Sequence, residues 1–237
     1  MIRRFYNDVT LAQVPGAKPL GYQVQLDGRG VKTVGGAPQL APTESLGEAL
    51  AAEWRRQGEQ IDPANLPLRD LTDYVIDVVA GDPAAIAESL IGYAETDTLC
   101  YRADPDEPLH ARQMEVWEPL LARFEADNGI RLVRVSGILH RPQPPETLER
   151  LRARLLSLDP FTLAGVETMA TLSASLVTAL AALDAREEDA RALWQAACLE
   201  EEWQADLWGR EEEAEERRAR READFLRACG FTRLVRD

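Results

Sequence analysis

Side-chain catalysis needs an acid, a base, a nucleophile or a metal ligand at a workable spacing, and this chain offers few. It has two histidines, His110 and His140, and three cysteines, Cys100, Cys198 and Cys229. No pair of His, Cys or carboxylate residues stands at a convincing metal-ligand spacing, so no metal is expected. Cys100 and His110 are the ingredients of a thiol nucleophile and its base, but nothing local joins them. A buried thiol and a helix-surface imidazole account for both. Gly28-Arg29-Gly30 lacks the lysine spacing of a phosphate loop, and there is no Gly-x-Ser-x-Gly elbow. No cofactor is expected. Glu95 and Asp97, in YAETDTLCYR, are the tempting carboxylate pair. Acid–base work requires two carboxylates in different environments. Residues two apart share a face on an extended segment but not on a helix. Arg102 is close enough to neutralise one of them, so a structural salt bridge at a domain junction is the plainer reading.

The acidic C-terminal region is the sharper anomaly. Between Glu200 and Glu216 there are nine acidic residues and one basic residue, Arg210. Charge runs usually form solvated faces. Glu200, Gln204 and Trp208, however, are spaced i, i+4, i+8 and so form one helical stripe. Trp203 and Leu207 form the adjacent stripe and are expected to supply the core contact. A large aromatic beside polar groups has the composition of an interface. Spacing alone leaves both readings open. Further on, Glu213 with Arg217 and Glu216 with Arg220 are i, i+4 pairs that support the last helix.

The elements that must position these residues can be read from period and punctuation. Tyr22, Val24 and Leu26 alternate with polar neighbours and run into Asp27-Gly28, a hairpin signal because such turns need positive φ. Val31-Lys32-Thr33 is the expected return strand. A small antiparallel sheet is expected from about Arg3 to Leu40. After Pro42 the period becomes 3.6. Thr43 or Ser45 can cap a helix, Ser45 with Glu48 fits a capping box, and Leu46, Leu50 and Trp54 share a face. Asp62-Pro63, Asp82-Pro83 and Asp159-Pro160 each place a cap acceptor before a proline suited to the first helical position. Leu109, Val116, Trp117, Leu120 and Phe124 form another apolar stripe, ended by Asn128-Gly129. Ile130 to Ile138 alternates as one further strand would. Pro142, Pro144 and Pro145 suggest a linker near 141–146, and helices follow. The fold class is therefore α+β: a small antiparallel β domain over residues 1–41, then a mainly helical domain over 42–237.

With 45% hydrophobic residues the chain can build a core without disulfides, and three scattered cysteines suit a reducing compartment. The net charge of -14 disfavours nucleic acid and anionic lipid and favours basic partners. The uncharged stretch Thr168 to Leu183 falls short of the roughly 18 residues that suggest a membrane span, so a buried helix is expected and no stable membrane insertion. The N-terminus has two arginines but no apolar run after them, so no signal peptide is expected.

Several blocks together resemble a known family, the chaperone that binds the alpha subunit of the F1 ATP synthase before the hexamer assembles. They are Leu26-Asp27-Gly28-Arg29 with Lys32-Thr33; Pro42-Thr43; Glu53-Trp54 with Gln57; Pro67-Leu68; Glu95-Thr96-Asp97 with Cys100-Tyr101-Arg102; Gln113 with Trp117 and Pro119-Leu120; and Leu199-Glu200 with Gln204 and Trp208-Gly209. Val34 and Leu66 depart from the family pattern, as does Arg210, where the family tends to be acidic or polar. The resemblance implies a small β domain before a helical one, no turnover and no cofactor. Its implied partner is the alpha subunit, held against aggregation until the beta subunit replaces it. It marks Glu200 as the functional position, and Gln204 and Trp208, on the same stripe, are expected to bind the partner with it. It leaves Trp54, Glu53, Asp97, Arg102 and Trp117 as family positions of structural character. The free chain is expected to be a monomer, and the missing presequence favours bacterial cytoplasm, with the mitochondrial matrix for eukaryotic relatives. Two rivals are a small-molecule enzyme using Asp97, Arg102 and His110 in an interdomain cleft, and an acidic adaptor for another basic partner.

Overall fold

The computed structural model describes residues 2–16, 21–137 and 139–237. The fold is α+β, with antiparallel strands near the N-terminus and a mostly helical remainder. The strands are β1 Ile2–Arg3, β2 Val9–Val14, β3 Gly21–Leu26, β4 Arg29–Gly30, β5 Gln60–Ile61, β6 Tyr101–Arg102 and β7 Val135–Ser136. The α-helices are α1 Glu44–Arg55, α2 Pro67–Asp77, α3 Pro83–Glu95, α4 Pro108–Asn128, α5 Pro145–Leu156, α6 Pro160–Ser173, α7 Leu176–Ala182, α8 Glu187–Ala197, α9 Leu199–Trp208 and α10 Glu212–Arg236. Strands β2, β3 and β4 form an antiparallel sheet in that order; β1 pairs antiparallel with β5, and β6 parallel with β7. The chain groups into two compact units. One holds Met1–Pro83, Pro160–Ala164 and Phe231–Asp237; the other holds Ala84–Asp159 and Gly165–Gly230.

In the first unit the hairpin forms where the alternation predicts it. Asp27 (φ 48) and Gly28 (φ 76) both take the left-handed conformation, so Leu26 and Arg29 face each other across a two-residue turn. The regular return strand is Arg29–Gly30, two residues earlier than Val31-Lys32-Thr33; beyond it the Val31 N–H still bonds Val24, and residues 31–33 turn to pair with Gln39, Pro38 and Ala37 instead. Helix α1 is capped by Thr43, whose Oγ1 accepts from Leu46 N–H at 3.2 Å, so Thr43 and not Ser45 holds the cap. Leu46, Leu50 and Trp54 are all buried. The helix lies against the sheet at Gly47, where an added Cβ would come within 2.8 Å of the Leu11 side chain. Asp62-Pro63 opens only a single 3-10 turn, Pro63–Asn65. The full helix α2 starts at Pro67 instead. Glu53 accounts for that start: its carboxylate accepts from Leu68 N–H at 2.9 Å and Arg69 N–H at 3.0 Å, two of the orphan donors of a first turn.

In the second unit the helix stops behave as their chemistry dictates. Gly129 caps α4 at φ 62. The face α4 buries runs through Leu109, Gln113, Trp117, Leu121 and Phe124; Val116 and Leu120 are only half-buried. The uncharged stretch expected to form one buried helix is broken in two. Helix α6 ends at Ser173, Ala174 turns back at φ 51, and Ser175 caps α7 through Thr178 N–H at 3.0 Å. Within the expected strand Ile130–Ile138, only Val135–Ser136 pairs; Ile138 lies outside the described residues. Gln143 is buried and bonds both the N–H and the C=O of Val133. Cys100, Cys198 and Cys229 are buried thiols, none of them in a disulfide. Among the described residues no helix is long and apolar enough to cross a membrane.

Candidate partner-binding surface

Helix α9 carries the acidic stripe, and its surroundings sort the acids into two kinds. Glu201, Glu202 and Asp206 are spent on arginines. Arg210 Nη2 reaches Glu202 at 2.9 Å and Asp206 at 2.6 Å, and its Nη1 reaches Glu215 at 3.1 Å. From α10, Arg218 bonds Glu202 at 3.0 Å and Glu215 at 2.6 Å, and Arg221 reaches Glu201 at 3.0 Å. Bonding to Arg218 holds the Glu215 carboxyl below its usual value; bonding to Asp206 and then Glu202 raises Arg210. Arg210, the departure from the family pattern, is thus the knot of the turn between α9 and α10. Arg221 also lies over the Trp194 ring at 5.3 Å, and Trp194 packs on Phe225 of α10 at 5.4 Å, so the aromatic core of α8 and α10 supports the charged layer.

Glu200 is of the other kind. It is exposed, and among the described residues no arginine or lysine pairs with it; its one contact is Gln204 Nε2 at 3.5 Å. Gln204 is also exposed, and Trp208, at the end of the same stripe, is 86% exposed. The chain leaves the helix at Gly209 with φ 104, a conformation that favours glycine. The adjacent stripe corrects one expectation. Trp203 is half-buried, but Leu207 is 64% exposed and anchors nothing in the core. The Arg210–Asp206 pair at this end, and the pairs from Arg218 and Arg221 of α10 to the first turn, hold α9 in its place. What results is a free carboxylate, an amide and two exposed apolar side chains on one short helix, the ingredients of a polar interface with an aromatic anchor.

The other family positions sit inside. Trp54 is buried, its carbonyl accepting from Tyr6 Oη at 2.7 Å and its ring meeting Tyr6 edge-on at 5.7 Å. Glu53 caps α2, and burial raises its pKa against the pull of those two backbone bonds. Trp117 donates its indole N–H to the Ala196 carbonyl at 2.7 Å. Arg102 bonds Glu118 at 2.6 Å; burial opposes ionisation of Glu118, but Arg134 and Arg102 overcome it and hold its carboxyl low. Asp97 is fully buried. It accepts from Leu99 N–H at 3.0 Å, Ser175 Oγ at 2.8 Å and Val177 N–H at 2.9 Å, which organises the break between α6 and α7. Burial, working against those bonds, lifts its pKa to about 6. The expected pair with Arg102 is absent, because each residue is taken by other partners. A hollow of about 900 Å³ in this unit is lined by Val116, Leu120, Phe124 and Thr178, among others, and includes none of Asp97, Arg102 and His110.

Sequence reasoning missed Arg218 and Arg221. No local spacing pairs them with α9, since their partners lie up to 20 positions away across a turn.

Comparison with known proteins shows the family. The family described as ATP12 chaperone protein matches residues 3–125. The mitochondrial protein atp12 of Schizosaccharomyces pombe is 30% identical over 228 residues, 90% of this chain and 76% of that one. The crystal structure of Atp12 from Paracoccus denitrificans aligns with a TM-score of 0.90 at 37% identity, covering 99% of this chain and 98% of the other. The Atu1473 protein of Agrobacterium tumefaciens aligns with a TM-score of 0.88 at 34% identity, over 99% of this chain and 85% of that one. The family match ends before α9, while the structural alignments run past it. The chain belongs to the ATP12 chaperone family, the F1 ATP synthase assembly factors that its sequence blocks resemble.

Proposed function

We propose that the protein binds the unassembled alpha subunit of the F1 ATP synthase through α9, with Glu200, Gln204 and Trp208 as contacts, and yields it to the beta subunit. The observation that carries this is the unspent carboxylate. Glu200 stands beside an exposed tryptophan while its neighbours Glu201, Glu202 and Asp206 are tied to arginines. A subunit awaiting its neighbour exposes apolar and charged surface that invites aggregation. A binder that must later leave is served by exposed ion pairs, which are individually weak and exchange readily. The work involves no turnover. It belongs to the cytoplasm of a bacterium or the matrix of a mitochondrion, and the free chaperone acts as a monomer.

The test is suppression of aggregation of isolated alpha subunit, followed by light scattering. Glu200→Lys is expected to lose the protection while its circular dichroism matches the parent. Normal protection by that variant removes Glu200 from the interface.

A further inference from the structure

The first unit ends its three-stranded sheet on β2, and the pairing shows which backbone groups of that strand are spare. Tyr22 exchanges both of its bonds with Ala41, and Val24 accepts from Val31, so these β3 residues point away from β2. Their partners across the β2–β3 ladder are Gln13 and Leu11. In an antiparallel pair, residues opposite such positions are the non-hydrogen-bonded ones, so Leu11 and Gln13 direct N–H and C=O outward. No described residue bonds those four groups. At the other end of the strand Arg55 Nε covers the Val9 carbonyl at 3.4 Å.

This edge lacks the usual guards. The strand reads VTLAQV, with no charge, proline or glycine. The face carrying Leu11 is backed by α1 at Gly47, and the other face presents Thr10, Ala12 and Val14, none of them bulky. The unit that holds it is also the less charged one. By sequence it has ten basic and twelve acidic residues, against seventeen and twenty-nine in the other.

We propose that the outer edge of β2 takes up an unpaired, uncharged extended segment of the client chain as an added strand. Main-chain bonds from Leu11 and Gln13 would supply the affinity, and small side-chain contacts the register. An incompletely assembled chain exposes such unpaired strands. A second copy fits less well: six residues, roughly 20 Å of strand, fall short of a stable dimer interface, and the chain's net charge of -14 opposes self-association. This inference rests on the client-holding reading above.

Gln13→Pro tests it, because proline removes an N–H that the sheet does not use and fills its place with ring atoms. Gln13→Ala keeps the N–H and serves as control. With isolated alpha subunit as probe, Gln13→Pro is expected to weaken protection about tenfold, and Gln13→Ala to match the parent. In the unsubstituted chain, hydrogen exchange at the Leu11 and Gln13 amides is expected to slow on adding alpha subunit, a readout that stands even if the proline variant fails to fold. Full protection by Gln13→Pro, or unchanged exchange at both amides, overturns the edge. A concentration-dependent dimer in sedimentation that the proline abolishes overturns it in favour of self-pairing. If the unsubstituted chain gives no protection at all, the client reading itself falls.

Discussion

Asp97 and Glu200 both come from sequence blocks that resemble the chaperone family, and folding puts them to opposite uses. Asp97 is closed off from solvent and accepts three hydrogen bonds, from Leu99, Ser175 and Val177. The bonds from Ser175 and Val177 hold the junction of α6 and α7, and the one from Leu99 caps the turn Thr98–Cys100. Glu200 is exposed and meets only Gln204. A carboxylate surrounded by its own chain's donors works as internal structure; one left over after the local arginines are allotted has its charge free for another molecule. The acids of α9 show both outcomes within one helix, since Glu201, Glu202 and Asp206 follow the first pattern.

The contrast can be broken most sharply at its buried end. Asp97→Ala leaves the donors of Leu99, Val177 and Ser175 without an acceptor, and at about 1 kcal/mol or more for each the expected loss is roughly 3 kcal/mol or more in urea unfolding. A variant of full stability that no longer protects alpha subunit would make Asp97 a contact and undo the distinction. The pH dependence tests the same residue. Its folded pKa lies near 6, above the ordinary 3.8, so the folded state binds the proton more tightly than the unfolded chain does. The stability this confers is complete below 3.8 and is lost as pH rises through about 6, on the order of 3 kcal/mol at most. Unfolding of the parent measured against Asp97→Asn is expected to show an advantage that narrows across that window; one that widens reverses the sign.

The exposed end should respond in binding and not in stability. Glu200→Lys is expected to weaken the alpha complex about a hundredfold, or roughly 2.7 kcal/mol, since it sets a cation where a basic partner is sought. Trp208→Ala is expected to weaken it about tenfold through loss of an aromatic anchor, with an unchanged melting temperature, as titration of labelled alpha subunit can show. Arg210→Ala tests the middle of the comparison. Exposed pairs are weak, so only a slight, salt-sensitive drop in melting temperature is expected, with release of Asp206 into the free class while Arg218 still holds Glu202.

Much of the fold was legible wherever one residue type dictates one conformation. Asp27-Gly28 made the hairpin, Gly129 stopped α4, and Asp82-Pro83 and Asp159-Pro160 opened α3 and α6. Asp62-Pro63 misled because the start of α2 depends on Glu53, whose carboxylate arrives from another helix. The split between α6 and α7 was hidden for the same reason: nothing within the uncharged stretch announces it, and Asp97 brings it about from some 78 positions away. At the candidate site, spacing placed Glu200, Gln204 and Trp208 on one stripe. It could not show which acids were already spent, because the arginines that spend them lie on α10. Leu207 reads as core by period and is exposed, since a short helix held by ion pairs has no need to bury that face.

The three cysteines have a practical consequence. All are buried thiols, burial pushes Cys100 upward and Cys198 to about 12, and all belong to the unit that contains α9. The first unit has none. A thiol-reactive dye will therefore leave the native protein unlabelled and mark it only when the helical unit opens. Labelling rate becomes an intrinsic clock for that unit alone, with no engineered probe. Compared with and without alpha subunit, it tells whether holding a client steadies the holder.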